Sequence, residues 1–204
     1  RSSFRGFWSL FITQFQGAFS DNLLKNLVIF VAIFAASMTR TQQHQFGESI
    51  GALFSLPFIL FSMAGGFLAD RFSKRSVMLG VKVFELAIMS LVLVGLWTMN
   101  RNILLACVFL MGTHSAFFGP SKYGSLPELL PDRKLSWGNG LLELGTFMAI
   151  ILGTVVAAVF SKKFHDQQWV SGVILMGLAV IGFFTCLGIT RVPAADPAKK
   201  FRPN

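Results

Sequence analysis

Charge is what this sequence has least of. Only 13% of its 204 residues are charged, against 53% hydrophobic, and 23 are Phe. A soluble domain carries about 25% charged residues, so that class is excluded and a membrane protein is expected. Cysteine is nearly absent too. Cys107 and Cys186 sit in separate apolar runs without His or Cys neighbours at ligand spacing, which argues against a disulfide framework and against a metal centre. They are expected to pack or to face lipid. The three histidines, His44, His114 and His165, are far apart. No GxxxxGK[ST] cradle for phosphates occurs, so nothing suggests an ATPase. No His-x4-Asp pair occurs either, and no catalytic centre or cofactor site is expected. His114 could titrate or coordinate, but a packed histidine is the favoured reading.

The net charge of +9 would suit nucleic acid only if it formed a basic patch on a soluble domain. Here the basic residues flank apolar segments. About 20 consecutive apolar residues make a membrane span, and that criterion predicts six, at 8–37, 47–70, 76–99, 103–121, 137–160 and 169–190. Together they form an all-α unit over 1–190. The Pro-rich, basic segment 191–204 is expected to be a cytoplasmic linker.

If the N-terminus is cytoplasmic, that side receives Arg1, Arg5, Arg71, Lys74, Arg75, Lys82, Lys122, Arg133, Lys134, Arg191, Lys199, Lys200 and Arg202. The other side receives Arg40, Arg101, Lys162 and Lys163. The asymmetry places both ends of the segment in the cytoplasm. The chain starts with Arg, and it is expected to be an excerpt of a longer protein.

Polar residues inside a span are costly and mark function. In the first span Gln14, Ala18, Asp21 and Lys25 recur at helical spacing, with Asn22 and Asn26 on the adjoining strip. Phe11, Phe15, Phe19, Leu23, Leu27 and Phe30 form the opposite face. The polar stripe should line a cavity, or Asp21 and Lys25 should lock together at i,i+4; both readings stand. Gly119 and Pro120 are expected to end the fourth helix, leaving Lys122 and Tyr123 at its mouth, with a shaped loop after them. In the fifth span Asn139 and Glu143 share a face beside a smooth strip of Gly138, Gly145, Ala149 and Gly153, suited to close helix packing.

The connector GGFLADRFSKR, Gly65–Arg75, matches the signature loop of the major facilitator superfamily, although Ser73 stands where that pattern has a second glycine. Gly66, Asp70, Arg71, Lys74 and Arg75 are its candidate gating residues, with Glu128 in the later loop. A faint echo of this connector, AAVFSKKF, comes after the fifth span, as three-plus-three inverted repeats would produce. FQGAFSDN, GPSKYGSLPELL and NGLLELGTFMAIILGT together resemble the lysophospholipid transporter family of that superfamily. The resemblance covers most of the chain. It implies an N-terminal six-helix half that, with a second half, moves lysophospholipids across the bacterial inner membrane toward a cytoplasmic acyltransferase, fused or separate. It carries over Asp21, Asn22, Lys122, Tyr123, Glu128, Asn139 and Glu143. Another small-molecule or drug transporter of the superfamily, or a membrane platform that docks an acyltransferase without transporting, are the alternatives.

Overall fold

The computed structural model describes residues 4–35, 38–191 and 193–199. All regular structure among them is helical. The elements are α1 (Phe4–Ala35), α2 (Arg40–Arg71), α3 (Lys74–Thr98), α4 (Arg101–Gly124), the short α5 (Leu126–Leu129), a 3-10 turn (Asp132–Lys134), α6 (Leu135–Lys163) and α7 (Trp169–Leu187). Five of the six long helices, α2, α3, α4, α6 and α7, are long and apolar enough to cross a membrane. α1, with 32 residues, would extend about 48 Å at 1.5 Å per residue, ample for a span.

Local chemistry sets the ends. Thr39 opens α2 with a capping box: Gln42 N–H donates to Thr39 Oγ1, and Thr39 N–H donates to Gln42 Oε1 at 2.9 Å. This satisfies two donors that a helix start would leave orphaned. Met99, at φ 50°, turns the chain out of α3. Asn100 then accepts from the amides of Asn102 and Ile103 to start α4. The helices extend beyond the predicted spans at most of these ends, because caps and connectors are polar and escape a hydropathy criterion.

One boundary needs correction. α4 does not stop at Gly119–Pro120 but runs on to Gly124 with Pro120 inside it. Pro120 has no N–H for the carbonyl four residues back, that of Ala116. That carbonyl lies against Gly65 of α2, where a Cβ would come within 2.8 Å of it. The expected shaped loop is correspondingly shorter and contains α5 and the 3-10 turn.

The main pairings are α2 with α4, α1 with α6, α3 with α7, α3 with α4 and α1 with α7. Exchange α1 with α4, α2 with α6 and α3 with α7, and this set maps onto itself, as the inverted repeat requires. The two crossings it relates are both made by glycine. Gly112 of α4 meets the Phe54 carbonyl and the Pro57 ring of α2, and Gly153 of α6 lies on the Phe19 carbonyl of α1. Gly145 likewise admits Phe11. The smooth strip predicted on the fifth span is therefore the α1–α6 seam.

The apolar interior forms two clusters. One holds Leu23, Leu24 and Leu27 of α1, Ile88 and Val92 of α3, and Leu104 and Met111 of α4. The other holds Phe7 and Leu10, Met78 and Val81, Phe118, and the loop residues Leu126 and Leu129. Between the clusters α1 and α3 bury polar side chains: Thr13, Gln14, Gln16, Ser20, Asp21 and Asn22, then Lys82 and Glu85. Leu23 and Leu27, predicted to face lipid or neighbouring helices, are fully buried against neighbours.

Candidate functional site

A polar belt therefore crosses the bundle between its two apolar layers. Opening into it is a cavity of about 260 Å³ lined by Gln14, Asp21, Lys82, His114, Ser115, Lys122, Tyr123 and Thr146, with Phe58 and Phe118 as apolar wall. α1 and α4 supply most of the polar lining.

Asp21 Oδ2 accepts from the Ser115 hydroxyl, while Asp21 Oδ1 is buried without a hydrogen-bond partner. The expected Asp21–Lys25 lock does not form. Lys25 Nζ turns to Asn22 Oδ1 at 3.1 Å and lies 5.2 Å above the Phe54 ring. An i,i+4 spacing permits that pair but does not require it, and Ser115 on α4 competes successfully for the carboxylate. Lys122 is 8% exposed. It makes only a long 3.4 Å bond to Gln14 Oε1 and stacks 4.2 Å over the Tyr123 ring. Gln14 is held from the other side, donating to the Leu142 carbonyl at 2.9 Å and accepting from Thr146. The cavity is thus lined by Asp21, one of whose carboxylate oxygens is buried without a partner, and by the weakly held ammonium of Lys122. Buried polar atoms are normally satisfied, so the pair is poised for a ligand that carries both signs of charge.

The other predicted site residues gather less closely. Asn22 and Asn26 bond to helix carbonyls, and Asn26 also donates to Thr154 of α6 at 3.0 Å. They brace the α1–α6 seam. Glu143 accepts from the Tyr123 hydroxyl at the cavity rim, and Asn139 is exposed one turn away.

Behind the cavity is a cluster that the sequence alone does not suggest. Lys82 and Glu85 of α3 are both fully buried and paired at 2.6 Å. Gln16 of α1 clasps them, accepting from Lys82 at 2.6 Å and donating to Glu85 at 2.9 Å. Gly182 of α7 is the space Gln16 fills. The charge asymmetry puts Lys82 at the cytoplasmic surface; it is instead inside the bundle, and Lys122 points inward as well. The signal for Lys82 is an opposite-charge i,i+3 pair within an apolar run. His114 is in contact with this cluster, so the packed-histidine reading holds for its burial, at 2% exposed, but its neighbours are ionic.

The signature loop is tied down at four points. Lys74 pairs with Glu128 of α5. Arg75 donates to the Leu187 carbonyl at the end of α7, at 2.8 Å. Arg71 lies over the Phe67 and Phe72 rings. Asp70 is taken by the segment after α7: its side chain pairs with Lys199 Nζ at 2.5 Å, and its carbonyl accepts from the Asp196 amide at 2.9 Å. Gly66 has open space where a Cβ would project, whereas Gly65 lies against the Ala116 carbonyl. The cysteines Cys107 and Cys186 are buried and free. Among the described residues no group of His, Cys, Asp and Glu could hold a metal ion.

Known proteins resemble this chain in sequence and in fold. The sequence model of the Major Facilitator Superfamily matches residues 10–204. A lysophospholipid transporter LplT of Salmonella heidelberg (strain SL476) is 30% identical over 199 residues, covering 97% of this chain and 46% of the relative. The LplT of Salmonella typhimurium is similar at 30% over 201 residues, again 97% and 46%. The chain thus spans about half the length of these relatives. A POT family transporter crystallised with 5-aminolevulinic acid superposes with a TM-score of 0.72 at 19% identity, covering 96% of this chain and 42% of that one. Another, in complex with a thioalcohol-conjugated peptide, gives 0.69 at 19% identity, with the same coverage of 96% and 42%. At that identity the likeness concerns the fold.

Proposed function

The chain belongs to the major facilitator superfamily, and from that premise we propose that it is the N-terminal half of a transporter that moves lysophospholipids by alternating access. Six long helices supply one wall of a central cavity, and a second half, related by an axis along the membrane normal, supplies the other. The residues 1–190 are the transport half and 191–204 the linker to the second half. The retained bias of Lys and Arg after Lys82 and Lys122 are set aside supports cytoplasmic placement of both ends in a bacterial inner membrane. We read the chain as a transporter rather than an enzyme.

The observation that carries the reading is that one carboxylate, Asp21, and one weakly held ammonium, Lys122, line a single cavity walled by Phe58 and Phe118. A lysophospholipid has the matching chemistry: a phosphate for Lys122, an ammonium for Asp21 when the headgroup is ethanolamine, and one acyl chain for the apolar wall. The relatives named lysophospholipid transporter support the same substrate class over a drug or small metabolite. Acyltransferase delivery on the cytoplasmic side completes the reading. Asp21, Lys122, Gln14 and Tyr123 bind the headgroup. Asn22, Lys25, Asn26, Asn139 and Glu143 shape the path, and Gly66, Asp70, Arg71, Lys74, Arg75 and Glu128 hold the gate.

The test is uptake of labelled lysophosphatidylethanolamine by the full-length protein in vesicles, challenged with unlabelled lysolipids, diacyl phospholipids, short peptides and cationic drugs. Competition by single-chain lipids alone is expected. Competition by peptides or drugs in their place would transfer the assignment to another branch of the superfamily.

A further inference from the structure

Two hydrogen bonds join α1 to α4 along the cavity, like rungs. At one level the Ser115 hydroxyl donates to Asp21, and at the other Lys122 Nζ donates to Gln14 Oε1 at 3.4 Å. On each helix the rung residues are seven positions apart, 14 to 21 and 115 to 122. That is about 10.5 Å of antiparallel helix at 1.5 Å per residue. Between the rungs two residues are turned aside. Phe118 leans toward α3, its ring centroid 5.6 Å from Lys82 Nζ. Gly17 backs onto the same ammonium, which lies 3.4 Å from where a Cβ would stand. What remains is Ala18 on α1 and Gly119 on α4, both in the cavity wall. A Cβ built on Gly119 meets nothing within 4 Å. The gap between the rungs is therefore bounded on α1 by a single methyl and on α4 by a hydrogen.

We propose that Ala18 and Gly119 are specificity-determining residues. By leaving this gap open they let a headgroup lie along it, with its phosphate at Lys122 and its ammonium at the Asp21–Ser115 rung. The inference rests on the lysolipid reading and deepens it. The favoured substrate is a lysolipid whose head carries both charges in sequence, lysophosphatidylethanolamine, over lysophosphatidic acid, which has the phosphate alone. A bare phosphate gains the Lys122 contact and leaves the Asp21 end of the gap without a cation. Gly119 has a second reason to be glycine, because in a helix the Cβ of a residue before proline clashes with the proline ring, and Pro120 follows it inside α4. Ala18 has no such neighbour, so the two positions together separate the gap from the backbone.

The full-length protein in vesicles is assayed for uptake of lysophosphatidylethanolamine and lysophosphatidic acid, and the ratio of the two is the readout. Gly119→Leu and Ala18→Leu each fill the gap from one side. In both the ratio should fall on the order of tenfold, as the loss of one hydrogen bond to a charged group would give. Gly119→Ala should keep the parental ratio, as should Gly177→Leu, which enters open space on α7. An unchanged ratio in either leucine variant overturns the proposal. So does an equal fall in Gly119→Ala, which would trace the effect to Pro120. If the parent takes up neither lipid, the lysolipid reading fails, and the gap is then judged by a second measurement, which also decides if a leucine variant does not fold. Cys107 and Cys186 are buried, so a charged, water-soluble thiol reagent reports on an added cysteine. Gly119→Cys should react on the order of tenfold faster than Gly177→Cys; equal rates, or an unreactive Gly119→Cys, overturn the open gap.

Discussion

The inner helices α1 and α4 and the outer helices α2 and α6 are exchanged by the same inverted repeat, yet they spend their sequences differently. α1 and α4 bury Gln14, Gln16, Asp21, His114 and Lys122 between apolar layers. α2 has no charged residue across its middle and turns Ile59, Leu60 and Met63 outward, Ile59 at 79% exposure. α6 exposes Phe147, Ile151 and Val155 in the same way. What α2 and α6 send inward is mostly backbone approach and small residues: Gly65 and Pro57 from one, Gly145, Ala149 and Gly153 from the other. Symmetry supplies the frame, and the placement of polar groups decides which helices do chemistry. In a membrane, where apolar side chains gain little from leaving lipid, small residues set how close helices come and buried polar groups mark the working surface.

That contrast can be broken most forcefully at the ion pair. Glu85→Ala leaves Lys82 buried without its partner, and breaking such a pair costs about 3–5 kcal/mol. Folded yield and thermal unfolding in detergent should fall sharply, whereas the double change Lys82→Met with Glu85→Leu should restore much of the loss. A Glu85→Ala protein as stable as the parent would mean that the inner helices do not depend on this pair.

The outer helices should answer to volume instead of charge. Gly112→Val drives a side chain into the Phe54 carbonyl and Pro57 ring at the α2–α4 crossing, and overpacking of this kind costs about 1–3 kcal/mol. Gly66→Ala, which meets nothing, is the control expected to leave the unfolding temperature unchanged. Equal effects from the two would erase the distinction between a seam and a surface.

Smaller effects sharpen the comparison at its edges. Lys199→Ala removes a half-exposed pair with Asp70, worth about 0.2–1 kcal/mol, so unfolding should move little. Ile59→Ala on the lipid-facing side of α2 should fall within about 0.5 kcal/mol, as substitutions away from packed features do. A large loss there would show that something other than lipid covers α2.

Much of this is legible in the sequence, for reasons that differ by region. Long apolar runs reveal all six long helices. The glycines of the fifth span announce the α1–α6 seam, because small residues at helical spacing have few other uses. Asp21 can be named because a charge in an apolar run is conspicuous, whereas Lys122, expected at the cytoplasmic mouth of the fourth helix, is picked out by the family resemblance. Other features depend on tertiary competition. Pro120 reads as a terminator unless the freed Ala116 carbonyl is known to rest on Gly65. Asp21 reads as Lys25's partner unless Ser115 is known to face it from α4. Lys82 reads as a surface residue near a span end, and only Glu85 and Gln16 together show it turned inward. Asn139 and Glu143 share a helix face as expected, yet that face opens to the rim rather than into the cavity.

The division of labour between inner and outer helices is tested most directly by crosslinking. A lysophosphatidylethanolamine with a photoreactive group on its head is bound to the full-length protein, irradiated, and mapped by peptide mass analysis with and without excess unlabelled lipid. Labelling that unlabelled lipid suppresses should fall within Gln14–Asp21 of α1 and Ser115–Tyr123 of α4. Suppressible labelling confined to the outward faces of α2 and α6, with α1 and α4 untouched, would contradict the account.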